Sequence, residues 1–313
     1  EEDTAEVIIR SKVWYSDGSV VLQAEMTQFR VHNSILAASS TVFKDMFEVG
    51  HAPGDDDSKV DGQPLVHLYD DNANDVELVL MALYDRRFFQ TSQKSFDLVA
   101  AMWRLGKKYG FEELRDEALQ RLEDFFRARS GPPPPLPRYE ISIPVPPCPG
   151  IHVHAISLAR ETGLVSILPA AFYACNNKHY QRDIHEVVMA GVLMNGGSRA
   201  HLSNADKTLC VLATSILIQR QRKAYPAHRA LNRTQGCLST CRAAVERTRD
   251  SLMDSLRVDP LGPMYMSGAC TLCQTAASTV FNEEQAKIWN DLPGIYGLPS
   301  WGAIKQEMAR YAL

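Results

Sequence analysis

The chain has 313 residues, of which 45% are hydrophobic and 22% are charged, and its formal net charge is -4 at pH 7. This length exceeds what one hydrophobic core usually supports, so we expect two domains. The acidic balance weighs against a protein whose whole surface is built to bind nucleic acid. No apolar run approaches the roughly 18 residues needed to cross a bilayer, so we expect a soluble protein without a membrane partner.

The N-terminal sequence and the cysteine content indicate a reducing compartment. The start, EEDTAEV, has neither the positive charge nor the apolar core of a secretory signal. Seven cysteines are an odd number, which favours thiols or metal ligands over a disulfide framework. We therefore expect a cytoplasmic or nuclear protein.

The stretch from Val20 to Phe47 changes its apolar period part-way. Apolar residues alternate from Val20 to Met26 and resume from Phe29 to Val31 after two polar residues, which predicts a hairpin. The pattern from Ile35 to Phe47 then fits two short helices joined near Ser39. The order is therefore two strands followed by a helical pair.

Three further elements follow this helical pair. A strand is predicted from Leu65 to Tyr69, and Asn72 or Asn74 can cap the next helix. Ser95 precedes another helix, and Gly110 supplies a left-handed stop before a last helix.

Together these segments resemble the BTB/POZ domain. The run FRVHNSILAASSTVFKDMF is similar to its strand, histidine corner and helical hairpin. The runs PLVHLYDDNANDVELVLMALYDRRF and SFDLVAAMWRLGKKYGFEELRDEALQRLEDF resemble its following elements. The resemblance spans roughly Val13 to Phe126. It implies an α+β fold, with a small sheet flanked by helices, followed by a mostly α-helical C-terminal domain.

The predicted organisation has four parts. Residues 1–12 form a disordered or extended N-terminus, and residues 13–130 form the BTB/POZ domain. Residues 131–150 are a linker, because their proline density opposes helix and central strand. A proline-binding partner is the alternative use of residues 132–137. Residues 151–313 form the helical domain.

The resemblance implies a protein-binding role through self-association. BTB domains pack across a twofold axis, so we predict a homodimer or a pair with another BTB protein. The predicted interface residues, each of which has a core role as its alternative, are Phe29, Ile35, Leu36, Phe43 and Phe47. By family analogy, a cullin scaffold of a ubiquitin ligase would contact Phe47, residues 75–83 and residues 104–109.

The corner histidine belongs to a second feature of the resemblance. BTB transcription repressors pair an acid on the first strand with a base beside this histidine. Asp17 and His32 match that pattern, but Asn33 stands where the base is expected. Corepressor binding of that kind is therefore in doubt.

Enzyme motifs are missing from the sequence. We find no GxSxG, GxxxxGK[ST], GxGxxG or HExxH pattern. The prediction is accordingly a protein without catalytic residues, and no small-molecule substrate is expected.

Four cysteines near the end of the chain form two pairs. Cys237 and Cys241 lie one helical turn apart, and Cys270 and Cys273 form a CxxC pair. Four thiolates suit tetrahedral zinc, although 28 intervening residues exceed the usual spacing of about 15 to 20. The alternative is that they are buried thiols.

A basic segment supplies the alternative function. The segment from Arg220 to Arg249 contains eight Lys or Arg residues and a single acidic residue, Glu246. A zinc-containing nucleic-acid-binding regulator would use these charges, the first five being Arg220, Arg222, Lys223, Arg229 and Arg233. Neither interleaved aromatics nor a reading helix accompany them, so an ordinary basic helix is the simpler interpretation.

The C-terminal stretch carries a further resemblance. The sequence WNDLPGIYGLPSW, preceded by a CxxC pair, is similar to the tail of a fungal, basidiomycete-type expansion of BTB proteins. That likeness implies no reaction. The aromatic residues Trp289, Tyr296 and Trp301 are expected to anchor the terminus.

Overall fold

The structure is a computed structural model, which describes residues 7–49, 59–85, 95–130, 150–176, 185–193, 199–224, 239–254, 259–261 and 266–309. The chain forms two compact units that divide between Leu122 and Glu123. We call them the N-terminal unit and the C-terminal unit. The first combines a sheet with helices and the second is mostly helical, which confirms the predicted fold class.

The sheet of the N-terminal unit has the strand order β1-β3-β2-β5-β4. Its strands are β1 (Ile9–Trp14), β2 (Val20–Ala24), β3 (Thr27–Val31), β4 (Lys59–Val60) and β5 (Gln63–His67). Strand β3 runs parallel to β1 and antiparallel to β2, and β2 runs parallel to β5. This unit therefore mixes both kinds of pairing around a central hairpin.

The hairpin between β2 and β3 is present, but its turn lies earlier than the sequence pattern indicated. Ala24 pairs with Thr27, so Glu25 and Met26 form the turn. Glu25 adopts a positive φ of 47°. Its carboxylate accepts hydrogen bonds from the Asn72 side chain and the Ala73 N–H, at 3.3 and 3.1 Å. These contacts hold the turn against the start of the following helix.

Five helices complete the description of this part of the chain up to Ser130. They are α1 (Asn33–Ser39), α2 (Thr41–Val49), α3 (Ala73–Tyr84), α4 (Phe96–Tyr109) and α5 (Glu112–Ser130). The side chain of Asn72 accepts hydrogen bonds from two N–H groups of α3, and Ser95 accepts one from Leu98 in α4. The predicted caps are confirmed, since these bonds satisfy helix donors that lack a partner in the helix.

Gly110 ends α4 in the left-handed conformation that the sequence predicts, at φ 66°. A Cβ at this position would also collide with Oγ1 of Thr41. The hydrophobic core of the unit consists of fully buried side chains from the hairpin and the helices. They include Leu22, Phe29, Leu36, Met102 and Trp103.

The C-terminal unit contains the helices α6 (Ile151–Thr162), α7 (Leu168–Asn176), α8 (Asn204–Ala224), α9 (Ser239–Asp254), α10 (Thr271–Ile295) and α11 (Trp301–Ala309). Gly163 ends α6 at φ 76°. Beside these helices, two short strands, β6 (Val192–Leu193) and β7 (Arg199–Ala200), pair antiparallel. None of the helices in the described part of the chain is long and apolar enough to span a membrane.

Buried hydrogen bonds join distant parts of the C-terminal unit. Asn176 donates to the Cys210 carbonyl oxygen at 2.8 Å and accepts from the Tyr296 hydroxyl at 3.2 Å. Burial, followed by the nearby Cys210 and Cys175, raises the pKa of Tyr296 well above its usual value. The Tyr296 hydroxyl therefore stays a neutral donor. The rings of Trp289 and Trp301 stack with their centroids 5.0 Å apart.

Helix α5 crosses the division between the two units. Phe125 and Phe126, only 1% exposed, pack edge to face, and both rings lie near His152 of the C-terminal unit. The two units therefore meet at residues 122 and 123, whereas the sequence predicts the end of the first domain at residue 130. Strand β1 begins at Ile9, ahead of the predicted start at residue 13. The predicted linker is outside the described residues except for Gly150, and it stays a prediction.

Candidate functional site

Helix α2 carries apolar side chains on two adjacent faces. Phe43 and Phe47 lie one turn apart on the inner face, where Phe43 is 2% exposed and stacks on Tyr109 at 4.9 Å. Val42, Met46 and Val49 follow the spacing of a second stripe, which we call the outer stripe. Val42 is 39% exposed and Val49 is 85% exposed. Solvent therefore reaches an apolar helix face in this unit.

The predicted interface residues divide according to burial. Phe29 and Leu36 are fully buried and Phe43 nearly so, which favours the alternative that these three are core residues of their own unit. Ile35 and Phe47 are half-buried. A role of the five residues in a dimer stays a prediction. The candidates for contact that solvent reaches are the outer stripe and the half-buried Ile35 and Phe47.

The histidine corner forms a polar and aromatic cluster. Nε2 of His32 lies 3.3 Å from Oδ1 of Asp17, while its Nδ1 lies 3.1 Å from the Tyr84 hydroxyl. Tyr84 also accepts the His32 backbone N–H and stacks on Tyr15 at 4.5 Å. The backbone N–H of Asp17, followed by its bond to His32, lowers the pKa of this exposed carboxyl. The Asp17 carboxyl is therefore ionised at neutral pH.

Asn33 is held by Ser19 and adds no charge to this corner. The Asn33 backbone N–H donates to Ser19 Oγ at 3.0 Å, and Ser19 Oγ donates to Asn33 Oδ1 at 2.9 Å. Arg30 instead donates to the Gly18 carbonyl oxygen at 2.9 Å. The amide at this position therefore serves the local turn.

A groove of about 950 Å³ lies beside the junction of α1 and α2. Its walls come from the end of α1, the start of α2, the last turns of α3 and the turn between α4 and α5. Ser40 closes one side by donating to the Tyr109 carbonyl oxygen. The lining residues include Ala38, Thr41, Lys44, Gly110 and Glu112.

The turn before α3 is fixed to α4 by a buried carboxylate. Asp71 accepts hydrogen bonds from the Tyr109 hydroxyl and from Lys108 Nζ, the latter at 2.8 Å. Burial, followed by the bond to Asp71, raises the pKa of Tyr109. About one turn earlier in α4, Arg104 donates to Asp75 of α3 at 2.9 Å. These ion pairs fix the two helices that a cullin scaffold is predicted to contact.

The fold just described agrees with a comparison against protein families. The BTB/POZ domain family matches residues 12–125, which include the hairpin, the histidine corner and the helices α1 to α4. Residues 12–125 form a BTB/POZ domain. No curated protein and no solved structure matches the chain significantly. BTB domains mediate self-association and binding to other proteins, and the fold is generally not enzymatic.

Outside the BTB domain, three of the four predicted zinc ligands come together. The sulfur atoms of Cys241, Cys270 and Cys273 all lie within 4.8 Å of one another. Cys237 lies outside the described residues. The sequence could indicate this set because the CxxC pair has the spacing of a structural zinc site.

Two other cysteines of the C-terminal unit lie in a different environment. Burial, followed by Cys210 and Asp206, raises the pKa of Cys175, and burial and Asp206 raise the pKa of Cys210 to about 12. Both therefore remain protonated thiols in the core. Cys270, in contrast, lies at the surface.

The basic segment is partly engaged within its own unit. Arg220 pairs with Asp291 at 2.8 Å, and Arg222 and Lys223 lie in the last turn of α8. Arg229 and Arg233 lie outside the described residues. Asp291, which lies 71 residues further along the chain, therefore neutralises one of the positive charges of the basic segment.

Proposed function

We propose that the protein is a protein-binding module that homodimerises through its BTB domain and acts as an adaptor. The outer stripe of α2 carries this proposal, because it places exposed valines and a methionine on a helix whose other apolar face is already buried. A second copy is the proposed occupant, since BTB domains self-associate. Closed twofold symmetry would bring the same stripe from each protomer together.

The exposed stripe supplies part of the driving force for association. Val49 is 85% exposed, so its burial would contribute about 1.5 kcal/mol. Val42 and Met46 add less because they are already partly covered. Association must also offset lost translational freedom. The stripe therefore acts as the centre of a larger contact.

The experiment compares the oligomeric mass of the full wild-type chain in solution with that of a variant that carries a charge on the outer stripe. Val42→Asp places an acid in the first turn of α2, a position where the helix itself tolerates negative charge. We expect sedimentation equilibrium to give a dimer for the wild type and at least a tenfold weaker dimer for the variant, which is about 1.4 kcal/mol. Circular dichroism should stay unchanged.

Lys44→Gln provides the matched control, because it changes the net charge by the same amount on another face of α2. It should leave the dimer intact. A wild-type chain that stays monomeric at high concentration would contradict the proposal. Equal weakening by Lys44→Gln and Val42→Asp would show that charge, and not the stripe, controls association.

For the adaptor role, we propose that a partner segment docks in the groove beside the α1 and α2 junction. A cullin scaffold is the proposed partner, and its predicted contact region at residues 75–83 shares Ala82 and Leu83 with the groove. Lys44 on one wall and Glu112 on another offer charges of both signs. Such a groove suits a partner helix with a mixed polar surface.

Purified cullin scaffolds test the adaptor role directly. Ala38→Arg should fill the groove and abolish capture of the cullin, while leaving the dimer intact. Ser34→Arg, one turn earlier on α1 and outside the groove, is its control. Absence of capture by the wild-type chain would refute the cullin assignment and leave homodimerisation standing.

The alternative is a zinc-containing nucleic-acid-binding regulator that uses the basic segment 220–249. It predicts retention of the full chain on duplex DNA with a steep dependence on salt. Arg222→Glu and Lys223→Glu would abolish that retention. Our proposal expects no retention at physiological salt, because neither interleaved aromatics nor a recognisable reading helix accompany these charges.

A further inference from the structure

The sulfur atoms of Cys241, Cys270 and Cys273 form a compact triangle in the C-terminal unit. We propose that these three thiolates bind one structural zinc ion. The proposal goes beyond the protein-binding function, because it concerns a metal centre in the unit that lies outside the BTB domain. The three thiols release their protons to solvent when the ion binds.

The dimensions of the triangle suit a zinc ion. Zinc–sulfur bonds of about 2.3 Å in tetrahedral geometry separate the sulfurs by about 3.8 Å. The three sulfurs here lie within 4.8 Å of one another, so small side-chain rotations complete the arrangement. Cys241 and Cys273 are 1% exposed, whereas Cys270 is exposed. The ion therefore has an entry path on one side and a dry wall on the other.

The local backbone positions the ligands before the metal arrives. Ala269 N–H donates to the Met266 carbonyl oxygen in a turn that contains Gly268 at φ 89°. Cys270 follows as the N-cap of α10, and Cys273 lies within its first turn. The backbone N–H of Cys270 donates to Sγ of Cys241 at 3.2 Å. Such outer hydrogen bonds orient metal ligands and fix their geometry.

The apolar contact beside the cysteines is small. Cys241 lies one turn before Val245 in α9, and Cys273 lies one turn before Ala277 in α10. Val245, Ala277 and Met266 form the buried cluster at this place, with two alanines at its edge. Within the described residues α9 makes only sparse contacts with other elements. A metal link would therefore supply stability that this cluster is too small to provide.

The experiment measures metal content and metal-dependent stability of the full chain. Purified with zinc in the medium, the wild type should hold one zinc ion per chain by elemental mass spectrometry. Replacement by Co²⁺ should give a thiolate charge-transfer band and the strong visible bands of tetrahedral cobalt. Cys270→Ser changes an exposed side chain, so the variant should fold and lose most of the bound zinc.

Cys241→Ser and Cys273→Ser should also lose zinc, and Cys210→Ala, a buried cysteine outside the triangle, should retain it. A chelator should lower the melting temperature of the wild type and of Cys210→Ala, and leave that of Cys270→Ser unchanged. Substoichiometric zinc in the wild type would overturn the proposal. A disulfide between two of the three cysteines, seen by mass spectrometry as the loss of two hydrogen atoms from a chain without zinc, would overturn it as well.

Discussion

Phe43 offers the sharpest test of which apolar residues of α2 form the core. Its ring is 2% exposed, and it contacts the rings of Phe47, Tyr109 and Phe111 at centroid distances of 5.9, 4.9 and 5.9 Å. Phe43→Ala removes this ring and leaves a cavity. We expect a loss of about 3 to 5 kcal/mol in the free energy of unfolding, including roughly 0.5 to 1.5 kcal/mol from the stacked pair with Tyr109.

Hydrogen exchange of peptides from α4 measures this loss in the N-terminal unit alone. The slowest-exchanging amides of Phe96–Tyr109 should exchange faster in the variant. The ratio of the two exchange rates gives the loss in the free energy of unfolding. The half-buried Phe47 provides a graded control, because Phe47→Ala should lower the same free energy by less. The effect of Phe43→Ala should be present at all protein concentrations.

Concentration dependence separates the core from the interface. Denaturation of a dimer shifts with protein concentration, and denaturation of a monomer does not. Val42→Asp should therefore shift the concentration dependence to protein concentrations at least tenfold higher, whereas Phe43→Ala should lower stability and leave that dependence in place. A loss below about 1 kcal/mol for Phe43→Ala would refute the assignment of this ring to the core.

Three further outcomes are expected. Tyr109→Phe removes a donor to the buried Asp71 carboxylate, which should lower the free energy of unfolding by about 1.5 to 3 kcal/mol in urea titrations; an unchanged value would contradict the role of this bond. Ser11, followed by Lys12, lowers the pKa of Glu77, so the carboxylate stabilises the fold above its unfolded pKa of about 4.3 and that contribution is lost as the pH falls through the lower folded value. Ser11→Ala should raise the Glu77 pKa in an NMR titration, with Ser16→Ala as control. Cys237→Ser should retain the zinc, because the proposed ligands are Cys241, Cys270 and Cys273; loss of zinc by elemental mass spectrometry would contradict a three-thiolate site.

Local signals in the sequence were sufficient for much of the BTB domain. The caps at Asn72 and Ser95 and the stop at Gly110 depend on residues within one turn, so the pattern alone locates them. The turn of the hairpin was placed too late, because Met26 fits the apolar alternation. In the structure the Glu25 carboxylate binds the start of α3 instead, which is a contact across 48 residues.

The burial of the α2 side chains and the ion pairing of the basic segment depend on tertiary contacts that no sequence pattern contains. Helix α2 has two adjacent apolar faces, and periodicity cannot say which of Val42 and Phe43 is covered. Likewise, Arg220 is a free charge in the sequence and an ion-pair partner of Asp291 in the structure. The cysteine triangle was accessible because CxxC spacing is a local signal, although the proximity of Cys241 is not.

The aromatic pair at the end of the BTB match has a practical meaning for fragment design. The family match stops at residue 125, between two rings that are each 1% exposed in the full chain. A fragment cut there would expose Phe125 to water without His152, and one cut at residue 130 would expose both rings. Such termini favour aggregation. The BTB fragment best suited to expression therefore ends at Leu122, or carries polar residues in place of the two phenylalanines.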